Sequence, residues 1–243
     1  MQMTFNFPYR PGDTRNHLVA AFSLIELLVV VTIIAILAGV LLPVVSNVML
    51  TGRQTACLSN MRQLGAAMHL YAADHDFKLP ETSHTASVGN TWIHTLAPYL
   101  ENVDEVRISP GDPKGQQRLE EGGTSYVLNS YLFVPEMDPF GEVTGGPSND
   151  LKQIETTSRT IMAFVCADRV GLGAGNDHTH SSGWNSWANV VRDIAPDRFT
   201  GSKKPDHSIG SSNYLYADGH VEKLAALAIK TRIDSGDNIA LPR

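Results

Sequence analysis

Nine histidines, 25 carboxylates and two cysteines are the side chains of this 243-residue chain with the most scope for chemistry. Their tightest grouping is Asp177, His178 and His180, which together with His207, Asp218 or His220 offers the imidazole and carboxylate donors that transition metals take. With this many histidines such neighbourhoods also arise by chance. The plain alternative is that Asp218 and Gly219 form a turn while His207 hydrogen-bonds a loop. Nothing resembling an activated nucleophile accompanies these residues: the chain has no Gly-x-Ser-x-Gly elbow, no Walker phosphate loop and no Cys-x-x-Cys pair. Gly171-Leu172-Gly173-Ala174-Gly175 has the glycines of a dinucleotide loop without the helix-forming run that must follow them, so it reads as a flexible loop. Cys57 and Cys166 are too few for a four-thiolate zinc site. They either bridge in an oxidising compartment or remain two small buried thiols. The expectation is a protein without enzymatic activity and without an obligatory cofactor or metal.

One carboxylate is conspicuous for its position. Glu26 stands at the front of a run in which no Asp, Glu, Lys or Arg occurs until Arg53. Residues 27–45 are almost all Leu, Val, Ile and Ala, and as a helix they extend roughly 28 Å, the thickness of a hydrocarbon core. A buried core helix would carry a polar face, and apart from Thr32 and Gly39 this segment has none. A secretory signal peptide, with Arg10 and Arg15 as its basic region, would have a shorter apolar stretch and no acid at its edge. A single membrane span is therefore expected. Arg10 and Arg15 before it are matched by Arg53 and Arg62 after it, so charge does not set its orientation. An ionised carboxylate inside hydrocarbon costs roughly 2.5–3.5 kcal/mol, so Glu26 either meets a cationic partner or reaches water at the membrane edge. Pro43 must remove one helical hydrogen bond, and Gly39 softens the same region.

Beyond the span, Cys57, Met61, Leu64, Met68 and Tyr71 recur at spacings of four and three, one face of a helix that packs on a globular head. Asp74, His75, Asp76 and Pro80 end it. Residues 80–123 are loop-rich, with a short helix over 92–100 and turn signals over 109–113. Residues 125–134, 160–167, 213–217 and 220–224 read as strands, and Asp218-Gly219 suits a two-residue hairpin turn because both residues tolerate positive φ. The fold class is α+β, a long N-terminal helix packed on a small antiparallel sheet. Stretches 135–150 and 168–212 are rich in Gly, Pro, Ser and Asn, and the second is too long for a plain connector. A net charge of −6 argues against nucleic acid as a partner.

Ala21-Phe22-Ser23-Leu24-Ile25-Glu26 resembles the processing site of type IV prepilins and type II secretion pseudopilins. The resemblance implies a leader of residues 1–21 on the cytoplasmic side and a prepilin peptidase that cuts between Ala21 and Phe22. It also implies N-methylation of Phe22 and a carboxylate, Glu26, that pairs with the new terminal amine of a neighbouring subunit. Ala21 stands where the family usually has Gly, which implies slower cleavage. Pro43 occupies a position where pilin-like chains often carry a proline, and Tyr71, Asp74 and Pro80 fit the helix ending of the family. Residues 207–219 resemble a C-terminal signature named for a His, nine residues and Asp-Gly, although here ten residues separate His207 from Asp218.

These resemblances cover residues 15–80 and 205–224. They imply a leader at 1–21, a transmembrane assembly helix at 22–50, its continuation at 51–79 and a β-sheet head at 80–243. They place the chain in a bacterial inner membrane as a single-pass protein with its head in the periplasm or outside. Its implied partners are prepilin peptidase, itself and other pilin-like subunits, in a type IV pilus or a secretion pseudopilus. Some pseudopilin heads bind calcium through loop oxygens, which Asp177, Asp193 or Asp197 would supply, although no EF-hand spacing occurs. The alternative is a membrane-anchored periplasmic binding or metal-dependent hydrolytic protein, for which Asp177, His178, His207 and Asp218 would have to line one pocket.

Overall fold

The computed structural model describes residues 23–137, 140, 142–145, 149–201 and 204–243. The expected cleavage and methylation point, Ala21 and Phe22, and the leader lie outside them. The first element, α1 (Leu24–Asp74), begins at a capping box. The Ser23 hydroxyl accepts the Ile25 N–H at 3.4 Å, and the Glu26 carboxylate accepts the Ser23 N–H at 3.0 Å. The hydroxyls of Thr32, Thr51 and Thr55 donate to carbonyls four residues back, which satisfies these polar groups inside the helix. Pro43 sits within α1, and the helix continues past it without the hydrogen bond that a proline nitrogen cannot donate. The chain divides between Val44 and Val45 into two compact units.

In the second unit, Cys57, Met61, Leu64, Ala67, Met68 and Ala72 are buried at helical spacing and Tyr71 is half-buried, the stripe expected from the sequence. α1 stops at Asp74 rather than at residue 79. Asp76 and Phe77 adopt positive φ of 52° and 63°, and the Phe77 N–H closes the helix end on the Ala72 carbonyl at 2.7 Å. The termination is thus made by two left-handed residues upstream of Pro80.

Three short helices, α2 (Trp92–Thr95), α3 (Val103–Val106) and α4 (Gly115–Glu120), precede strand β1 (Tyr126–Leu128) in the chain, and a fourth, α5 (Ser130–Phe133), follows it. A two-stranded ribbon follows, β2 (Glu136–Met137) with β3 (Val143–Gly145), then β4 (Ile161–Val165), α6 (Trp187–Asp193), β5 (Ser211–Tyr216), β6 (Val221–Ala225) and α7 (Ala226–Asp234). The main sheet is antiparallel throughout, in the order β1-β4-β5-β6. Residues 125–134 therefore do not form one strand. Asn129 turns the chain instead: its side-chain Oδ1 accepts the Tyr131 N–H and caps α5, and its side-chain NH2 donates to the Ile161 and Ala240 carbonyls, both at 2.7 Å.

Side chains alternate across the sheet. Tyr126, Leu128, Val165 and Leu215 face the buried stripe of α1. Val127, Phe164, Tyr214 and Tyr216 face α6, α7 and Trp184. A bulge between Ile161 and Ala163 interrupts the alternation and puts Met162 and Ala163 together on the α1 side. Two helical layers thus enclose one sheet, the α+β arrangement expected.

Candidate functional site

Three places hold the residues singled out by the sequence. The first is the start of α1. Nearly every side chain from Leu24 to Met49 is exposed, with Leu24 at 87 % and Leu42 at 68 %. This segment makes α1 the one helix among the described residues long and apolar enough to cross a membrane, which is consistent with a membrane anchor. Glu26 is the only ionisable residue of the apolar segment, and one carboxylate oxygen already accepts its own capping hydrogen bond.

The second place is the β5–β6 turn. The expected two-residue turn at Asp218-Gly219 is replaced by a turn over Ala217 and Asp218. It is closed by the Gly219 N–H on the Tyr216 carbonyl at 2.9 Å, with Gly219 alone at positive φ, 87°. The Asp218 carboxylate accepts the His220 N–H at 3.1 Å and contacts His220 Nδ1 at 2.5 Å. Burial pushes the Asp218 carboxyl up, but these His220 contacts outweigh it and hold the group below the usual carboxylate range. Gly219 packs on α1. A Cβ there would meet His69 at 3.2 Å, and a Cβ on Gly65 would meet the Gly219 Cα at 3.3 Å. Gly65 escaped the sequence reading; its signal was an isolated glycine inside a helical pattern.

His207, at the other end of the signature, has φ of 53° and places Nδ1 3.0 Å from the Asp197 carboxylate, which is buried. The pair lines a cleft of about 350 Å3 with Lys114, Asp168 and Arg169. The loop contact expected of His207 is therefore specific: it is the side-chain partner of a buried acid in the long 168–212 segment.

The third place contains Asp177, which is fully buried and accepts the Ser83 N–H at 3.0 Å, the Ser83 hydroxyl at 2.8 Å and a contact from His178 Nδ1 at 2.9 Å. His84, outside the residues grouped by spacing, stands edge-on to His178 with ring centres 4.4 Å apart, and His180 has its ring centre 5.4 Å from that of His178. Burial, then repulsion from His178, holds the His84 imidazole below its ordinary value. Asp177, His178, His207 and Asp218 thus do not line one pocket: each of the three places has its own partners. Among the described residues no group of three or more His, Cys, Asp or Glu side chains could hold a metal ion.

Cys57 and Cys166 are both buried and both free. Cys57 accepts a weak hydrogen bond from the Tyr126 hydroxyl at 3.7 Å, whereas Cys166 belongs to the opposite core layer, near Asp112. Gly171–Gly175 form a loop, and no helix follows directly.

Residues 51–106 match the family SBP_bac_10, described as a protein of unknown function (DUF1559). The matched stretch runs from the packed part of α1 to the end of α3, and with the apolar helix before it is compatible at a coarse level with pilin-like bacterial proteins. No curated protein and no solved structure matches the chain.

Proposed function

We propose that this chain is a pilin-like structural subunit that is trimmed before Phe22 by a prepilin peptidase and polymerises through α1 into a type IV pilus or a secretion pseudopilus. The observation that carries the reading is the contrast along α1. From Leu24 to Met49 its apolar side chains are exposed among the described residues, while from Cys57 onward the same helix buries its stripe in the head. An apolar surface of that extent needs lipid or other helices around it.

Glu26 supplies the direction of assembly. In lipid the carboxylate is costly, and its one capping hydrogen bond to Ser23 leaves further acceptor capacity unfilled. Cutting before Phe22 would create an α-amino cation next to this cap, and a neighbouring subunit's carboxylate is the natural counter-ion. The pair converts an unfavourable monomer into a favourable oligomer. Function is assembly rather than turnover, with the head packed on the outside of the fibre and the inner membrane as the reservoir of subunits.

The test is incorporation. Glu26→Gln and Glu26→Ala should leave the protein in the membrane fraction at wild-type amounts and reduce its share of sheared filaments by at least tenfold. Normal incorporation of both variants would exclude the role assigned to Glu26.

A further inference from the structure

The cleft beside His207 is built in a way that the filament reading does not use. Its floor is fixed by backbone: the Ala167 N–H donates to the Asp193 carbonyl and the Ala195 N–H to the Val165 carbonyl, both at 2.9 Å. The chain leaving α6 thus runs antiparallel beside the end of β4. Ala167, Val191, Ile194 and Ala195 give this floor apolar side chains. The loop that carries His207 forms a wall, tied to α6 by the Trp187 Nε1–H on the Asp206 carbonyl at 2.6 Å.

We propose that this cleft binds a small organic anion, with a carboxylate or phosphate head on Lys114 and Arg169 and an apolar body on the floor. Charge selects the head. Both carboxylates of the lining are already engaged: Asp197, whose side chain is 3 % exposed, by His207 Nδ1 at 3.0 Å, and Asp168 by the Arg198 guanidinium at 2.5 Å. Asp206, next to His207, is turned onto Ser208, whose N–H and hydroxyl both donate to it. Lys114 and Arg169 pair with no carboxylate among the described residues. Two cations therefore line a cleft whose acids have other partners, in a chain of net charge −6, and an anionic group is the counter-ion they lack.

Size and lining select the body. Sites for small molecules measure about 300–1,000 Å3 and combine apolar walls with a few placed polar groups. This cleft, of about 350 Å3, belongs at the small end of that range. His207 supplies the third polar group. With Nδ1 held by a buried acid the ring keeps one orientation and leaves Nε2 for the ligand, while 40 % of the side chain stays exposed. Its φ of 53° is rare for a residue with a side chain, and backbone held in that way gathers at ligand sites. The inference concerns the head alone and is independent of how the chain assembles.

The full-length protein in a neutral detergent should be titrated by calorimetry with sodium benzoate, sodium hexanoate and sodium phenyl phosphate, and with benzyl alcohol as the uncharged control. Saturable binding of at least one of the three anions is expected, one molecule per chain, with benzyl alcohol at least about tenfold weaker. Replacing both cations, Lys114→Gln with Arg169→Gln, should weaken that binding by about tenfold or more, and Val191→Phe, which fills the floor, should do the same. Urea unfolding midpoints check that each variant folds. Failure of all three anions to bind the wild type would overturn the proposal. So would benzyl alcohol binding as tightly as the anions, or wild-type affinity retained in both the double variant and Val191→Phe, which would put the ligand elsewhere.

Discussion

Gly219 in the β5–β6 turn lies directly against Gly65 of α1, so close that a Cβ on Gly65 would stand 3.3 Å from both the Cα and the carbonyl oxygen of Gly219. The C-terminal end of the His and Asp-Gly signature is thereby a joint between the sheet and the packed part of α1.

Two substitutions read this joint in different ways. Gly219→Ala puts a side chain at φ 87° and against His69, and should cost about 1–2 kcal/mol. Gly65→Val also drives into Leu215, 2.9 Å from where its Cβ would begin, and should cost more, about 2–3 kcal/mol. Urea unfolding followed by tryptophan fluorescence measures both, since Trp92, Trp184 and Trp187 all lie in the head. Equal stability of Gly65→Val and wild type would show that the turn does not press on the helix.

Arg118 and Asp112 form an ion pair with both side chains fully buried, 2.8 Å between the guanidinium Nε and the carboxylate. The same guanidinium donates to the Ala167, Val170 and Gly171 carbonyls, and the Ser125 hydroxyl donates to Asp112 at 2.7 Å. Arg118→Ala leaves a buried carboxylate unpaired and frees three carbonyls, so it should destabilise the head by about 3–5 kcal/mol in the same assay. A loss under about 1 kcal/mol would mean that water replaces the guanidinium without penalty.

Alkaline pH should destabilise the head through its thiols. Burial, despite the opposing charge of Arg118, holds the Cys166 thiol up to about 12 against an ordinary value of 9.0. Between those limits the unfolded chain gives up the thiol proton and the folded chain keeps it. This contribution is complete below pH 9 and is lost as pH rises toward 12, by up to about 1.4 kcal/mol per pH unit. Cys57 is raised in the same direction, again by burial. Cys166→Ala, unfolded under reducing conditions at pH 8 and pH 11, should lose less stability between the two than the wild type does. Parallel pH profiles would contradict this account.

Periodicity made the architecture legible where one physical constraint acted alone. The stripe from Cys57 to Met68 has no competing requirement and packs as its spacing demands, and the apolar segment before it forms the helix its composition predicts. The sequence misleads where a side chain overrides local preference. Asn129 ends β1 after Leu128 because its amide is needed by the Ile161 and Ala240 carbonyls, so a run that reads as one strand becomes a strand and a helical turn. Asp76 and Phe77 end α1 early by adopting a backbone that neither residue advertises. The histidine grouping was half visible: the spacing of His178 and His180 is local, whereas His84 arrives through Ser83 bonding to Asp177, a contact across 94 residues with no trace in the sequence.

The most direct measurement of the filament reading is the mass of the mature protein, taken intact from native membranes with and without the prepilin peptidase. The account requires a chain that begins at Phe22, carries one added methyl group and reverts to the full 243 residues when the peptidase is absent. A chain that retains residues 1–21 in both strains would contradict it.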